Sequence, residues 1–426
     1  MKKFIQTQLA RKARRLIEKH HPTIVGVTGS VGKTSARDAI ATLLASRYDV
    51  AANFKNYNNE FGLPLTILGR HSPGRSFFGW LSVLFSPVKK VPQVYVLEYG
   101  IDRPGDMDVL CQIAKPTIAV MTRISPVHAE FFRSVEALAE EKAKLLACVD
   151  EQGTVVMNAD DPLVMGLGGH VRGKKVTYGF SSSAMIRASD YQLSTREDFS
   201  FQPGEIFSTI AFTVAFPDRS SLNLTVQNML GKASVSSLLA GIAVAHVMGI
   251  SNDEIASHIS TAKLEPGRMN PIAGIKGSLL IDSSYNAAPA SVQAGLELLS
   301  EFHPVEGARR IAVLGQMAEL GSKSEQEHRL IGMRAAEAGV DILVTVGELA
   351  REIRRGAIDA GIPEYHTQQF ENSVEAGRWL DGAIQKGDIV LVKGSQSARM
   401  EKIVKDIMAE PMHAEKLLVR QETEWQ

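Results

Sequence analysis

The stretch TIVGVTGSVGKTS, residues 23–35, decides the fold because it describes a strand, a glycine turn and the start of a helix. Its β-branched first part is typical of a buried strand, and the apolar spacing from Ser35 onward is typical of a helix. Such a turn directs backbone N–H groups and the positive end of a helix dipole at one point. Val27 stands where the common eight-residue pattern has glycine. We predict a phosphate-binding loop; a fortuitous glycine turn is the alternative.

Each part of this loop has a role in holding a nucleoside triphosphate. Glycines let the backbone approach the phosphates, the lysine can reach the outermost phosphates, and the hydroxyl after it can hold Mg²⁺. The predicted nucleotide-binding set is Gly29, Ser30, Gly32, Lys33, Thr34 and Ser35.

Composition indicates an ordinary globular protein. The 426 residues are too many for one core, and 44% of them are hydrophobic. Lys+Arg and Asp+Glu both number 47, so no overall field attracts nucleic acid, and we expect none as a partner. Cys111 and Cys148 lie in apolar helical patterns and are expected to be reduced, which fits a cytoplasmic location. We expect no signal peptide ahead of the first strand.

Strands and helices alternate from residue 23 onward, which predicts an α/β fold with a mostly parallel sheet. Short alternating runs between about 176 and 228 are typical of antiparallel strands attached to it, and a long apolar helix follows. The predicted parallel strands are residues 23–28, 94–98, 117–122 and 154–158.

Pro266-Gly267 is typical of a hinge or a domain boundary, and the second αβ series that follows it predicts a smaller, open, Rossmann-like domain. Its predicted strands are residues 278–282, 311–314, 342–346 and 389–392. We therefore expect a basic N-terminal helix over 1–22, an ATP-binding domain over 23–263, a C-terminal domain over 264–408 and a tail over 409–426.

Two segments combine apolar and basic residues. The first twenty residues form a basic amphipathic helix, whose predicted apolar side is Phe4, Ile5, Leu9, Ala13, Leu16 and Ile17. The apolar run 77–85 lies between Arg75 and Lys89-Lys90 and is too short to span a bilayer. A helix packed on the domain edge and a buried loop or small helix are the plain interpretations. Peripheral membrane contact is the open alternative for both segments.

Three ionisable residues near the phosphate loop are candidates for the site, and two of them could hold metal. Glu98 ends a predicted strand at the same sheet edge as the phosphate loop, and a carboxylate is a natural ligand for Mg²⁺. His128 follows the next strand, although a lone histidine is usually structural. Lys142 lies in the helical run 136–146 and, taken by itself, is expected to be a solvated helix charge that pairs with neighbouring acids.

Polar side chains gather in two further places. The short segment 56–64 holds Asn56, Asn58 and Asn59, which favours substrate recognition over a plain turn. In the second domain Arg268 follows the hinge, where its guanidinium could meet the γ-phosphate from a mobile domain. The segment 282–286 closes a strand there with Asp282 and Asn286, two further nucleotide-binding candidates.

Eight short motifs in this order resemble the Mur ligase family, and they span about residues 23 to 405. They are residues 28–35, 56–65 (NYNNEFGLPL), 97–108 (LEYGIDRPGDMD), 128–130 (HAE), 158–162 (NADDP), 282–287 (DSSYNA), 314–321 (LGQMAELG) and 392–397 (VKGSQS). The family joins amino acids or peptides onto the cell-wall precursor. The resemblance implies ATP-dependent amide formation through an acyl phosphate, with D-alanyl-D-alanine added to a UDP-MurNAc-peptide in peptidoglycan synthesis. The implied partners are a peptide-bearing precursor and an amino-acid or dipeptide amine.

The resemblance also implies residue roles. Lys33 would hold the phosphates, and Thr34 and Glu98 the first Mg²⁺. His128 would help to hold a second metal. Lys142 lies fourteen residues after it, as does the family lysine that becomes carbamylated. Finally, the resemblance places Arg268 at the γ-phosphate and Asp282 at the ribose, so that Lys33, His128, Lys142 and Arg268 form the implied catalytic set.

Four departures from the family pattern leave the substrate open. Members usually carry a front domain for the UDP end of the precursor, whereas here the phosphate loop begins near residue 28. A non-UDP or lipid-linked acceptor, or a partner that replaces the domain, is therefore an alternative. Ala233-Ser234 stands where His-Asn is typical, Arg123 where Asn is usual, and Gln316 where an acid is expected. A nucleotide-binding partner protein with altered catalysis is the third hypothesis.

Overall fold

The structure is a computed structural model that describes residues 2–54, 56–126, 131–422 and 425 of the chain. His128, a predicted metal ligand, lies outside the described residues.

Nine strands form the first sheet, in the order β2-β3-β1-β4-β5-β6-β7-β8-β9. Neighbours from β2 to β7 run parallel, and β8 and β9 are added antiparallel. This arrangement confirms the predicted parallel sheet with an antiparallel extension. The strands are β1 (Thr23–Thr28), β2 (Val50–Ala52), β3 (Val94–Glu98), β4 (Ile118–Met121), β5 (Thr154–Asn158), β6 (Lys174–Gly179), β7 (Ile186–Thr195), β8 (Ser208–Ala215) and β9 (Ser221–Gln227).

Helices cover both faces of this sheet, as the buried residues of the two flanking cores show. One core includes α2, α8 and α9, and the other includes α5 and α6 with one residue of α1. The helices are α1 (Lys2–His20), α2 (Lys33–Leu44), α3 (Gly62–Ile67), α4 (Phe77–Phe85), α5 (Asp106–Ile113), α6 (Val135–Cys148), α7 (Pro162–Gly166), α8 (Gly231–Val247) and α9 (Asn252–Ile259).

A second sheet of six strands has the order β10-β11-β15-β12-β13-β14, and all its pairs except β10–β11 are parallel. The strands are β10 (Asn270–Ala273), β11 (Leu279–Ser283), β12 (Arg310–Gly315), β13 (Ile342–Val346), β14 (Thr367–Phe370) and β15 (Ile389–Lys393). The helices are α10 (Pro289–Glu301), α11 (Ser324–Glu337), α12 (Arg351–Asp359), α13 (Ser373–Ala383), α14 (Glu401–Ile407) and α15 (Ala414–Leu417). The exact domain boundaries given above stay predictions.

Parallel register positions the site at one edge of the first sheet. Val27 on β1 pairs with Glu98 on β3, so the acid stands level with the start of the phosphate loop. On the other side Thr28 pairs with Met121 on β4, which brings the segment after β4 to the same edge. Ligands bind at such an edge, outside the carboxyl ends of the strands.

The two apolar-basic segments differ in part from their prediction. Helix α1 packs through Ile5, Leu9 and Ala13, but Phe4 is 64% exposed and does not join that face. The run 77–85 forms a small helix, α4, as one of the two plain interpretations predicted, but Val83 is its one buried side chain. Within the part of the chain that the structure describes, no helix is both long and apolar enough to cross a bilayer.

Candidate active site between the two sheets

The phosphate loop is fixed by its contacts with the segment after β4. Ser30 N donates to Arg123 O over 2.6 Å, and Ser30 Oγ donates to Ser125 O over 2.9 Å. Gly29 has a φ of +147°, and a Cβ there would lie 2.0 Å from Thr122 Oγ1. Only glycine fits this position, because both the backbone conformation and the available space exclude a side chain.

Lys33 lies at the first turn of α2 and folds back over its own loop. Its Nζ donates to Gly29 O at 2.9 Å and to Ser30 O at 3.3 Å. Burial lowers the pKa of the amine, and the Glu98 carboxylate opposes that shift. The lysine therefore stands within the loop at the place where a phosphate would bind.

Glu98 is the centre of a buried polar group. It is 4% exposed, and its Oε2 accepts a hydrogen bond of 2.9 Å from Thr34 Oγ1. Its Oε1 accepts from Asn58 Nδ2 at 3.0 Å. Burial by itself would raise the pKa of this carboxyl, but Lys33, the Asn58 hydrogen bond and two arginines outweigh burial and lower it. Glu98 is therefore ionised at neutral pH.

The second domain reaches this group through Arg268. Its Nη2 donates to Thr34 Oγ1 over 2.9 Å, and its guanidinium carbon lies 4.2 Å from the centre of the Tyr285 ring. The Tyr285 hydroxyl in turn donates to Asn56 Oδ1 over 2.6 Å. Arg268 Nε is buried without a hydrogen-bond partner among the described residues. A buried guanidinium with a spare donor is suited to an incoming anion.

A cleft of about 330 Å³ lies between the two domains, and both contribute to its walls. Most predicted site residues line it, namely Ser30, Gly32, Lys33, Thr34, Ser35, Asn58, Asn59, Glu98, Arg268 and Asn286. The phosphate loop, the acid and the arginine thus face one space. Ala233 and Ser234, which replace the His-Asn pair of the family, line the same cleft.

Lys142 lies on α6, is 1% exposed and does not line the cleft. Burial lowers the pKa of its amine well below the usual range, and repulsion from Lys33 adds to the shift. The amine of Lys142 is therefore close enough to the phosphate loop for its charge to interact with that of Lys33. Among the described residues, no group of three or more His, Cys, Asp or Glu is arranged to hold a metal.

Two predicted residues have structural contacts that their sequence positions did not indicate. Asp282 is fully buried beneath the cleft, where its Oδ1 accepts from Ser284 N at 3.0 Å. Burial raises the pKa of this carboxyl to about 6. Asn59 Oδ1 accepts from the N–H groups of Phe61 and Gly62 and so holds the start of α3.

Sequence reasoning missed two buried cations of the site. Arg37, 2% exposed, places Nη1 4.0 Å from Glu98 Oε2. Lys393 lines the cleft and donates to Ser283 Oγ and Asn286 O, and burial lowers its pKa to about 7. Helical spacing could have indicated Arg37, because it lies one turn after Lys33 and therefore on the same face of α2. Lys393 lies within the VKGSQS motif, at the end of a strand.

Comparison with known proteins assigns both domains to the Mur ligase family that the sequence motifs resemble. A family model described as the Mur ligase middle domain matches residues 27–245. Another, described as Mur ligase, glutamate ligase domain, matches residues 267–396.

Similar proteins include two UDP-N-acetylmuramoyl-tripeptide–D-alanyl-D-alanine ligases. The one from Bacillus subtilis is 28% identical over 410 residues, which are 95% of this chain and 80% of the relative. The one from Synechocystis is 31% identical over 388 residues, 91% of this chain and 75% of the relative.

Solved structures agree with these relatives. The MurF ligase of Thermotoga maritima in complex with ADP superimposes with a TM-score of 0.75 at 25% identity, covering 94% of this chain and 83% of that one. A MurF from Acinetobacter baumannii gives a TM-score of 0.77 at 22% identity, covering 95% and 81%, and shares the fold. From its two matched domains, its sequence relatives and its fold, the chain belongs to the Mur ligase family.

Proposed function

We propose that this protein is an ATP-dependent ligase that adds D-alanyl-D-alanine to a UDP-MurNAc-tripeptide in the cytoplasm. The names of its relatives and the ADP complex of a similar ligase support this assignment. One observation carries the proposal. Arg268 of the second domain, Thr34 of the phosphate loop and Glu98 form one hydrogen-bonded chain across the cleft.

The reaction has two steps. An oxygen of the acceptor carboxylate attacks the γ-phosphorus of ATP, the bond to the ADP oxygen breaks, and an acyl phosphate forms. The amine of the incoming dipeptide then attacks the acyl carbon and loses a proton, and phosphate leaves as the amide forms. Lys33 and Arg268 offset the negative charge that develops on the transferred group. The Tyr285–Asn56 hydrogen bond links the two domains, and closure of the cleft around the substrates would exclude water from the labile acyl phosphate.

Thr34 and Glu98 are the residues that would hold Mg²⁺. Their oxygens are hard donors 2.9 Å apart, and the carboxylate is ionised, so the donor set fits this cation. When bound, Mg²⁺ neutralises charge on the phosphates. Arg268 then donates to phosphate in place of the Thr34 hydroxyl.

Lys142 is proposed to be carbamylated and to help hold a second metal with His128. Only a neutral amine adds CO₂, and the lowered pKa of Lys142 favours that form. In this addition the nitrogen forms a bond to the carbon of CO₂ and releases a proton, which leaves an anionic carbamate. An anion there would also relieve the repulsion between Lys142 and Lys33.

The remaining wall of the cleft accommodates the nucleoside. Asn286, Ala233 and Ser234 line it, and the small residues at the last two positions leave room but offer short side chains to the base. We therefore propose that this cleft selects the base less strictly than a cleft with the His-Asn pair of the family would. A ribose contact by Asp282 requires the turn above it to move, because the carboxyl is fully buried.

A second candidate is the same chemistry on a lipid-linked carboxylate acceptor. One observation favours it, because Phe78 and Phe85 of α4 are each 80% exposed. Phe61, in the loop that carries the predicted acceptor residues, packs edge-on against Trp80 of the same helix with the ring centres 6.3 Å apart.

Phosphate release by the purified protein tests both candidates. ATP and Mg²⁺ are combined with either a UDP-linked or a lipid-linked tripeptide, with and without D-alanyl-D-alanine. The first proposal predicts release only with the UDP-linked acceptor and the dipeptide together, and none from Lys33→Ala. Release with the lipid-linked acceptor and the dipeptide, but not with the UDP-linked acceptor and the dipeptide, supports the second candidate. Nucleotide binding without release under any condition contradicts both and favours a nucleotide-binding partner protein.

A further inference from the structure

Helix α4 presents its most apolar side chains to solvent. Phe78 and Phe85 are each 80% exposed and Phe77 is 51% exposed. Residues 78 and 85 are seven apart and so lie on the same face of the helix. Large aromatic side chains that are this exposed and this close together mark an interaction surface.

The packing of α4 keeps these rings turned outward. Its opposite side packs against α1, where Val83 is buried with Ile5 and Leu9. Lys12 of α1 donates from Nζ to the carbonyl oxygens of Val83, Leu84 and Ser86 at the end of α4. Because this end is held by a side chain of the neighbouring helix, α4 cannot rotate to bury its phenylalanines without losing these bonds.

Charge in α1 and in the segment that contains α4 is mostly positive, although Lys90 is paired with Asp49 over 2.8 Å. Helix α1 holds seven lysines and arginines and one acid, Glu18, and residues 61–93 hold four cations and no acid. The whole chain has a formal net charge of zero, so this excess is local. Arg70 donates to Pro87 O just beyond α4 and is close enough to Lys12 to lower the pKa of its amine.

We propose that this region binds the surface of an anionic phospholipid bilayer. We call the binding surface the α4 docking face; it consists of Phe77, Phe78 and Phe85 with the exposed cations of α1 and of residues 61–93. The rings enter the boundary between head groups and acyl chains, and the cations contact lipid phosphates. Stable attachment of this kind needs both an apolar and an electrostatic contribution, and the α4 docking face supplies both. An anionic bilayer, unlike a neutral protein groove, matches the charge of this whole region.

The α4 docking face lies one loop away from the candidate active site. Phe61 contacts Trp80 of α4, while Asn58, three residues earlier, donates to Glu98. A bilayer bound at α4 therefore lies against the loop predicted to receive the acceptor. Bilayer attachment itself does not depend on the proposed reaction, since it is measured without turnover.

Vesicle flotation of the full chain tests the proposal. We expect binding to vesicles that contain phosphatidylglycerol, weakening with added salt, and little binding to pure phosphatidylcholine. Phe78→Ser with Phe85→Ser should reduce the bound fraction about tenfold, because two apolar side chains lose their burial. The matched control is Tyr365→Ser with Met412→Ser, which removes side chains 78% and 82% exposed on the other domain.

A charge variant tests the electrostatic part separately. Arg15→Glu with Lys89→Glu changes one exposed cation of α1 and one that follows α4, and should abolish salt-sensitive binding, whereas Lys263→Glu with Lys386→Glu should not. Unchanged melting temperatures show that each variant folds. In Phe85→Trp, brominated lipid should quench the added tryptophan emission relative to the parent chain. The proposal is overturned if the parent chain ignores anionic vesicles at low salt, or if both α4 docking-face variants bind as their controls do.

Discussion

Arg268 and Thr34 lie 234 residues apart in the chain, yet Arg268 Nη2 donates to Thr34 Oγ1 over 2.9 Å. The arginine belongs to the segment that leads into the second sheet, and the threonine lies in the first turn of the helix after the phosphate loop. Thr34 Oγ1 also donates to Glu98, so a cation, a hydroxyl and an anion from three parts of the chain meet at one point. This junction is where the proposed function places the terminal phosphate and its metal.

Replacing Arg268 by alanine should lower kcat about 10³-fold, because a guanidinium that offsets charge on a transferred phosphoryl group contributes effects of this size. The affinity for a non-hydrolysable ATP analogue should fall, while the affinity for ADP should stay the same. Calorimetric titration with both nucleotides measures this difference. Arg268→Lys is the matched control and should retain part of the activity. Equal loss of both affinities would place Arg268 away from the γ-phosphate.

Thr34→Ala should raise the Mg²⁺ concentration needed for half-maximal phosphate release by about tenfold, because the metal loses one of two protein oxygens. Thr34→Ser keeps the hydroxyl and should behave like the parent chain. Glu98→Gln should have a larger effect, since it removes the ionised ligand while keeping its shape. Mg²⁺ titrations of steady-state phosphate release provide the measurement. A serine variant as defective as the alanine variant would count against a role for the hydroxyl.

Lys142 should carry a carbamate when the protein is kept in ¹³C-bicarbonate. The expected ¹³C NMR signal should disappear in Lys142→Met and persist in Lys144→Met, which replaces a half-buried lysine of the same helix that is paired with Asp108. Activity should fall about 10²-fold in the first variant and not in the second. Because burial lowers the pKa of Lys142, the carbamate should form at pH values where an ordinary lysine is protonated. A signal that survives in Lys142→Met would assign the carbamate to another amine.

Asp282→Asn should stabilise the protein at pH 7 by about 2–3 kcal/mol. The pKa of this carboxyl rises from 3.8 to about 6 on folding, so the folded state disfavours its ionised form. The gain should be small below pH 3.8, grow as the pH rises to 6 and stay constant above that. The amide keeps the oxygen that accepts from Ser284 N. Denaturant unfolding at several pH values provides the test, and a difference independent of pH would contradict it.

The first sheet and its phosphate loop were predictable because the signals are local. Strands β1, β3 and β5 have the predicted bounds, and Pro266-Gly267 lies between the last strand of the first sheet and the first strand of the second. A buried β-branched run next to a glycine turn has few alternative structures, so propensity and packing agree there. Strand β2, three residues long with half-buried side chains, gives too weak a pattern to be recognised.

The candidate site was predictable in its phosphate and metal residues and less so in its supporting contacts. The position of Glu98 beside the phosphate loop could be predicted from its place at a strand end, because the carboxyl ends of parallel strands meet at one edge of the sheet. The deep burial of Asp282 depends on tertiary contacts that no local pattern encodes. The contacts of Asn59 are local, because its side chain accepts from N–H groups two and three residues later, as asparagine often does at a helix start. The tail has a charged, helical pattern that indicated no role, yet Arg420 donates to Ser284 O and its guanidinium carbon lies 5.7 Å from the centre of the Tyr285 ring.

The transfer of oxygen from acceptor to phosphate tests the central claim most directly. The acceptor is prepared with ¹⁸O in its reacting carboxylate, and the released phosphate is analysed by mass spectrometry. The account predicts one ¹⁸O atom in each phosphate that accompanies an amide product, because the acyl phosphate carries the acceptor oxygen to phosphorus. Phosphate without ¹⁸O, released together with the same product, would contradict activation of the carboxyl by ATP in this cleft.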